Sequence, residues 1–147
     1  MKKLIALLTV VLVAFAGSGT ARAETAIGAQ FGYPGNAGLS LRFDRMPISA
    51  AWSSDFIHGT IDSWFIKKPL GDTDPRMSWY FGPGVDAGIP LNDNHDFFFA
   101  VRAPIGLQFM ATPKIETFGE VAPGFQFLDH TDFYWEGCVG IRFVLGK

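Results

Sequence analysis

The sequence carries a single cysteine, Cys138, in 147 residues. An internal disulfide framework is therefore excluded. Charge is sparse, at 18% of residues, and its basic share is small. Setting aside Lys2, Lys3 and Arg22 at the start leaves nine of the 12 basic side chains against 14 acidic ones, a net charge of −5 over the remainder. That balance excludes the basic face that nucleic acid requires. After the first 23 residues, no apolar run reaches the roughly 20 uncharged residues of a spanning helix. Low-complexity tracts and linkers are missing as well. No internal repeat rises above a strand-to-strand rhythm.

The N-terminus has an organisation of its own. Lys2 and Lys3 precede an apolar run from Leu4 to Ala16. Gly17, Ser18 and Gly19 interrupt it, and Ala21-Arg22-Ala23 closes it with small residues at the spacing of a cleavage site. The run is too short to span a bilayer. Residues 1–23 are expected to be a cleavable signal-peptide helix, cut after Ala23, with residues 24–147 forming one domain. No cysteine lies near the cut, which speaks against a lipoprotein.

What the sequence has in quantity is aromatic residues and glycine: 15 Phe, 4 Trp, 3 Tyr and 17 Gly. Aromatics favour pleated surfaces, whereas glycine favours turns and crowded barrel walls. The second half alternates with period two. Phe97, Phe99, Val101, Ala103, Ile105, Leu107 and Phe109 share one face, opposite Ala100, Arg102, Gly106 and Gln108. Ile115, Val121 and Phe125 oppose Glu116, Phe118 and Glu120; Trp135, Val139, Ile141 and Phe143 oppose Glu136, Cys138 and Arg142. Before them, Trp79, Phe81, Val85 and Ile89 oppose Tyr80, Gly84 and Asp86. Such alternation predicts half-buried strands. Asn92-Asp93-Asn94, Thr112-Pro113-Lys114 and Asp129-His130-Thr131 supply the turns between them.

The first half is patterned more weakly. Strands are expected over Thr25–Tyr33, Leu39–Phe43, Ile48–Trp52 and Thr60–Ile66. Their turns fall at Pro34-Gly35-Asn36, Arg45-Met46-Pro47 and His58-Gly59. Lys67–Met77 is then the longest connection. The count is eight, an even number, as bacterial outer-membrane barrels have. Closure requires Ala26–Tyr33 to pair with Phe133–Leu145, because a sheet in lipid cannot leave an open edge.

Soluble and membrane barrels both alternate, and the face that carries charge separates them. Arg42, Asp86, Arg102, Glu120, Glu136 and Arg142 all lie opposite the apolar face. Their immediate companions are Gly82, Gly84, Ala100, Gly106, Ala122, Gly124 and Gly140, where a solvated face would carry Lys, Ser and Thr. Small residues suit the narrow lumen of an eight-stranded barrel. The six charges are therefore expected to form an ion-pair network in the lumen. Phe97, Phe99, Val101, Ile105, Leu107, Phe109, Val121, Phe125, Trp135, Val139, Ile141 and Phe143 are expected to face lipid. The fold class expected is all-β: an eight-stranded antiparallel up-and-down transmembrane β-barrel behind a signal peptide. A soluble antiparallel sandwich is the alternative that alternation leaves open.

Several stretches resemble a family of small OmpA-like outer-membrane barrels of unknown function. They run from Trp79-Tyr80-Phe81-Gly82-Pro83-Gly84 through Arg102-Ala103-Pro104-Ile105-Gly106-Leu107 and Glu120-Val121-Ala122-Pro123-Gly124 to Gly137-Cys138-Val139-Gly140-Ile141-Arg142-Phe143. The resemblance covers about half of residues 24–147. It implies an eight-stranded transmembrane barrel and brings no catalytic residues. The chain departs from such barrels at its end, where Phe143 stands in place of a terminal aromatic.

Candidate chemistry is thin. His130 sits between Asp129 and Asp132, and a histidine beside a carboxylate can act as a general base. No serine is near, and Asp and His are ordinary turn residues. His58 and His95 are read as turn residues too, and His95 with Asp93 and Asp96 lacks metal-ligand spacing. The sequence therefore points to a non-enzymatic outer-membrane barrel, without metal or cofactor, in a structural or surface-interaction role. It would be monomeric, surrounded by outer-membrane lipid and delivered by the barrel-insertion machinery. The alternatives are a lipid A-modifying barrel enzyme using His130 and a soluble periplasmic barrel binding an apolar ligand.

Overall fold

The structure is a computed structural model that describes residues 24–72, 74–92, 97–127 and 131–146. The expected signal peptide lies outside the described residues, as do Asp93, His95, Asp96, Asp129 and His130. Among the described residues every regular element is a strand. They are β1 (Thr25–Tyr33), β2 (Ala37–Phe43), β3 (Met46–Trp52), β4 (Phe56–Asp62), β5 (Ile66–Pro69) and β6 (Met77–Phe81). After them come β7 (Gly84–Pro90), β8 (Phe98–Arg102), β9 (Ile105–Thr112), β10 (Ile115–Gln126) and β11 (Asp132–Gly146).

All pairings are antiparallel. β1 pairs with β2 on one side and with β11 on the other, so the sheet returns on itself: β1, β2, β3, β4, β7, β8, β10 and β11 form a ring of eight. The closing register sets Ile27 against Phe143 and Phe31 against Val139, the pairing that closure demands. β5, β6 and β9 extend three of these strands. β4–β5 runs antiparallel to β6–β7, which in turn runs beside β8–β9, and β10 pairs with both β8 and β9.

Proline dictates two of the three interruptions. Pro83 parts β6 from β7 and Pro104 parts β8 from β9; neither has an N–H to give a ladder. The carbonyls are still used. Ser63 N–H donates to Pro83 O at 2.9 Å, Gly82 N–H to Pro104 O at 3.3 Å, and Ala103 N–H to Pro123 O at 2.9 Å. Three prolines on successive strands thus lie in a diagonal row across which backbone pairing continues. At one point the ring is incomplete. Past Asp62 the chain leaves β3, and β5 pairs in the sheet only with β6. Trp64 N–H bonds Arg45 O at 2.7 Å there, and a polar recess of about 450 Å³ opens between Glu24, Arg42, Arg45, Lys67 and Lys68.

The first half corrects the sequence reading in register. The turn after β3 falls at Ser53–Asp55, not at His58-Gly59, and His58 is a strand residue paired with Ala51 and Gly88. Ser53 explains the position, since its hydroxyl accepts the Phe56 N–H at 3.2 Å and fixes the turn. Met46 and Pro47 belong to β3, the turn before it being Asp44-Arg45 with Asp44 at φ 53°. The long connection shortens to Leu70–Arg76 because β5 and β6 pair as far as Pro69 and Ser78. With this register the Pro34–Asn36 and Ser53–Asp55 turns lie at one end, and both described termini at the other.

Candidate functional site

Alternation along eight strands brings one set of side chains to the middle of the ring. Ser40, Arg42, Asp62, Tyr80, Asp86, Arg102, Gln108, Glu116, Phe118, Glu120, Glu136 and Arg142 are all buried. Every large apolar residue of opposite parity on β8 to β11 is exposed or half-exposed. Phe97, Phe99, Val101, Ile105, Leu107, Val121, Phe125, Trp135, Val139, Ile141 and Phe143 are exposed. Phe109 is half-buried, with the Arg76 guanidinium 5.8 Å from its ring centre. The interior polar groups divide into two clusters.

The first lies toward the termini. Glu116, wholly buried, is its centre. Arg42 donates from Nε and Nη2 to Glu116 Oε2 at 3.0 and 2.6 Å, and Arg142 donates from Nη1 to Oε1 at 2.6 Å. Arg42 also bonds the Glu24 carboxylate, and donates to the Asp44 carbonyl at 2.6 Å. Arg142 Nε reaches Ser40 Oγ at 2.9 Å. That bond crosses β1, and it can because Gly28 is the register partner of both Arg142 and Ser40. Aromatic faces complete the packing: Phe118 lies 3.7 Å from the Arg142 guanidinium carbon, and Trp64 stacks on Tyr80 at 4.1 Å. Two arginines meet two carboxylates, so this cluster is electrically balanced.

The second cluster is not balanced. Arg102 lies within 3.1 Å of Asp62, 2.5 Å of Glu136, and in contact with Glu120. Tyr80 donates its hydroxyl to Glu120 at 2.8 Å. A fourth carboxylate, Asp86, is wholly buried and pairs with no arginine. Its Oδ2 accepts from Tyr134 at 3.3 Å, and His58 Nδ1 stands 3.7 Å from its Oδ1, beyond hydrogen-bonding distance. One guanidinium thus faces four carboxylates. A cavity of about 40 Å³ lies beside them, lined by His58, Thr60, Arg102, Glu120, Glu136 and Cys138 among others.

The six charges expected on the inner face are therefore all inside the ring, but they are not one network. Arg42 and Arg142 belong to the first cluster, Arg102, Glu120 and Glu136 to the second. Asp86 is corrected from ion-pair member to partner of Tyr134 and neighbour of His58. Sequence reasoning left out Glu24, Asp62, Glu116 and His58. Parity along the strand could have found two of them: Glu116 is four residues from Glu120, and Asp62 two from Thr60.

Comparison with protein-family profiles, with curated proteins and with solved structures finds no match to this chain.

Proposed function

We propose that the protein is a small integral outer-membrane barrel, exported by a signal peptide, with a structural or surface-interaction role and no catalysis. The observation that carries this reading is the inversion of polarity. The inside of the ring is ionic and hydrogen-bonded, while the outside carries Phe31, Leu39, Leu107, Val121, Trp135, Val139 and Ile141 exposed. A wall of that kind aggregates in water and is at home in lipid. Closed strand pairing meets the other demand of a bilayer, a satisfied backbone. An ionic interior offers no lining for an apolar ligand, which weighs against a soluble carrier. The resemblance to small OmpA-like barrels is in keeping with this reading, and lipid and the insertion machinery are its natural partners.

The test is fractionation followed by electrophoresis. The protein should stay with the outer membrane through salt washes and come out only in detergent. Unboiled samples should migrate differently from boiled ones, as closed barrels do. Release into the periplasmic fraction without detergent would refute the proposal.

A further inference from the structure

We propose that the upper interior cluster is a binding site for one divalent transition-metal ion of the zinc class, ligated by His58, Asp86 and Glu136. The proposal stands on the geometry of the ring and holds whether or not the ring lies in a membrane.

Three strands supply the ligands. His58 comes from β4, Asp86 from the facing β7, and Glu136 from β11 across the ring. One donor atom from each lies within 4.8 Å of the other two. Metal–ligand bonds of about 2.0–2.2 Å place donors roughly 3–3.5 Å apart, so small side-chain rotations close the set. An imidazole and two carboxylates are the ligand chemistry of zinc and its neighbours, softer than the all-oxygen set calcium or magnesium prefers.

Two further observations point to a cation. Among the described residues, Asp86 Oδ1 and His58 Nδ1 are buried atoms without a hydrogen-bond partner, and they face each other. Asp86 is wholly buried, and an orphaned carboxylate oxygen there is costly unless something positive meets it. Arg102 cannot serve, since Asp62, Glu120 and Glu136 already surround it. The region holds four carboxylates for one guanidinium, and Asp86 and Glu136 lie against each other. A dication held by those two and by a neutral imidazole offsets the surplus. The cavity beside His58 and Glu136 leaves a fourth position open to water, and the Tyr33–Gly35 turn borders it, giving an entry path from that end. Tyr134 holds the far oxygen of Asp86 and so orients the ligand, as supporting hydrogen bonds in metal sites do.

The test is calorimetric titration of zinc chloride into the detergent-purified full chain, stripped beforehand with chelator. One zinc ion per chain is expected. His58→Ala should weaken binding by about 100-fold or more. A double His95→Ala, His130→Ala variant, which removes the other histidines, should bind like the parent. Should His58→Ala fail to fold, X-ray absorption at the zinc edge of the loaded parent decides: one imidazole nitrogen with carboxylate oxygens is expected. Absence of stoichiometric binding overturns the proposal. So do binding that survives His58→Ala but is lost in the double variant, and a zinc shell with no imidazole or with two.

Discussion

Tyr80 lies over Gly106, its direct register partner across β6 and β9, and from there its hydroxyl reaches Glu120 on β10. A Cβ on Gly106 would sit 2.2 Å from the Tyr80 ring. The same arrangement recurs where Tyr134 covers Gly124 and Phe118 covers Gly140. In each pair an inward aromatic fills the space that a glycine leaves on the neighbouring strand, a device that fixes register in curved sheets. Gly106→Ala should therefore displace Tyr80 from Glu120 and destabilise the fold by about 1–3 kcal/mol. Urea unfolding of the protein in detergent measures it. A Gly59→Ala control, where the nearest atoms are 3.8 Å away, should cost much less.

The two ionic clusters differ in what holds them, and substitution at Arg102 exposes the difference. Removing that guanidinium leaves Asp62, Glu120 and Glu136 facing one another inside the ring. An uncompensated buried charge of this kind costs about 3–5 kcal/mol. Arg102→Met should cost that much in unfolding free energy. Arg102→Met combined with Glu120→Gln should recover part of the loss, because one of the stranded charges goes with it. If the double variant proved less stable than the single by the full cost of Glu120→Gln alone, the carboxylates would not be coupled through Arg102.

Much of this architecture was legible in the order of residues, and the reason is parity. A strand has only two faces, so one unambiguous residue assigns all the others. Phe99, Leu107 and Ile141 are large enough to fix their faces, which placed Arg102, Glu120 and Arg142 inside. β3 and β4 gave no such anchor. Ser53, Ser54 and Asp55 look no more turn-like than His58-Gly59, and the choice between them shifts β4 by several residues. Putting the turn at the wrong pair hid His58 from view as an interior group. The company of Asp86 was illegible for a different reason: Tyr134 and Glu136 lie about 50 residues away in sequence and meet it only when β11 closes on β1 and β10. The interruptions at Pro83 and Pro104 were visible as residues, but the carbonyl pairing that bridges them belongs to the assembled sheet.

The Leu70–Arg76 turn carries its own ion pair, and its pH response can be stated with a sign. Arg76 donates from its backbone N–H and from Nε to Asp74 Oδ1, both at 3.0 Å. These bonds hold the Asp74 carboxyl below the ordinary aspartate range, the side-chain bond being the larger cause. A carboxylate whose folded pKa is depressed stabilises its turn above the unfolded value and loses that contribution as pH falls through the folded one. Carbon-detected NMR titration should show Asp74 protonating at lower pH than Asp55 or Asp72. Arg76→Ala should return it to the ordinary range. Exposure and screening keep the effect on global stability negligible.

The polarity of the wall yields the sharpest contrast between lipid and water. Val139 is 62% exposed on β11, midway between the strand's ends, with Phe31 and Gly119 as register partners. On the surface of a soluble protein, arginine in its place would be almost without effect, since exposed substitutions change stability by about 0.5 kcal/mol or less. On the lipid face of a barrel near the bilayer midplane it costs about 2–4 kcal/mol. Val139→Arg should therefore reduce the unfolding free energy in phospholipid vesicles by that amount. The same arginine at Asp55, in the exposed turn after β3, should leave it unchanged. The comparison is internal to the protein: both positions are open to their surroundings, and they differ only in whether those surroundings are hydrocarbon. Equal and small effects at the two sites would mean that the wall around Val139 meets water, and the outer-membrane reading would fail with it.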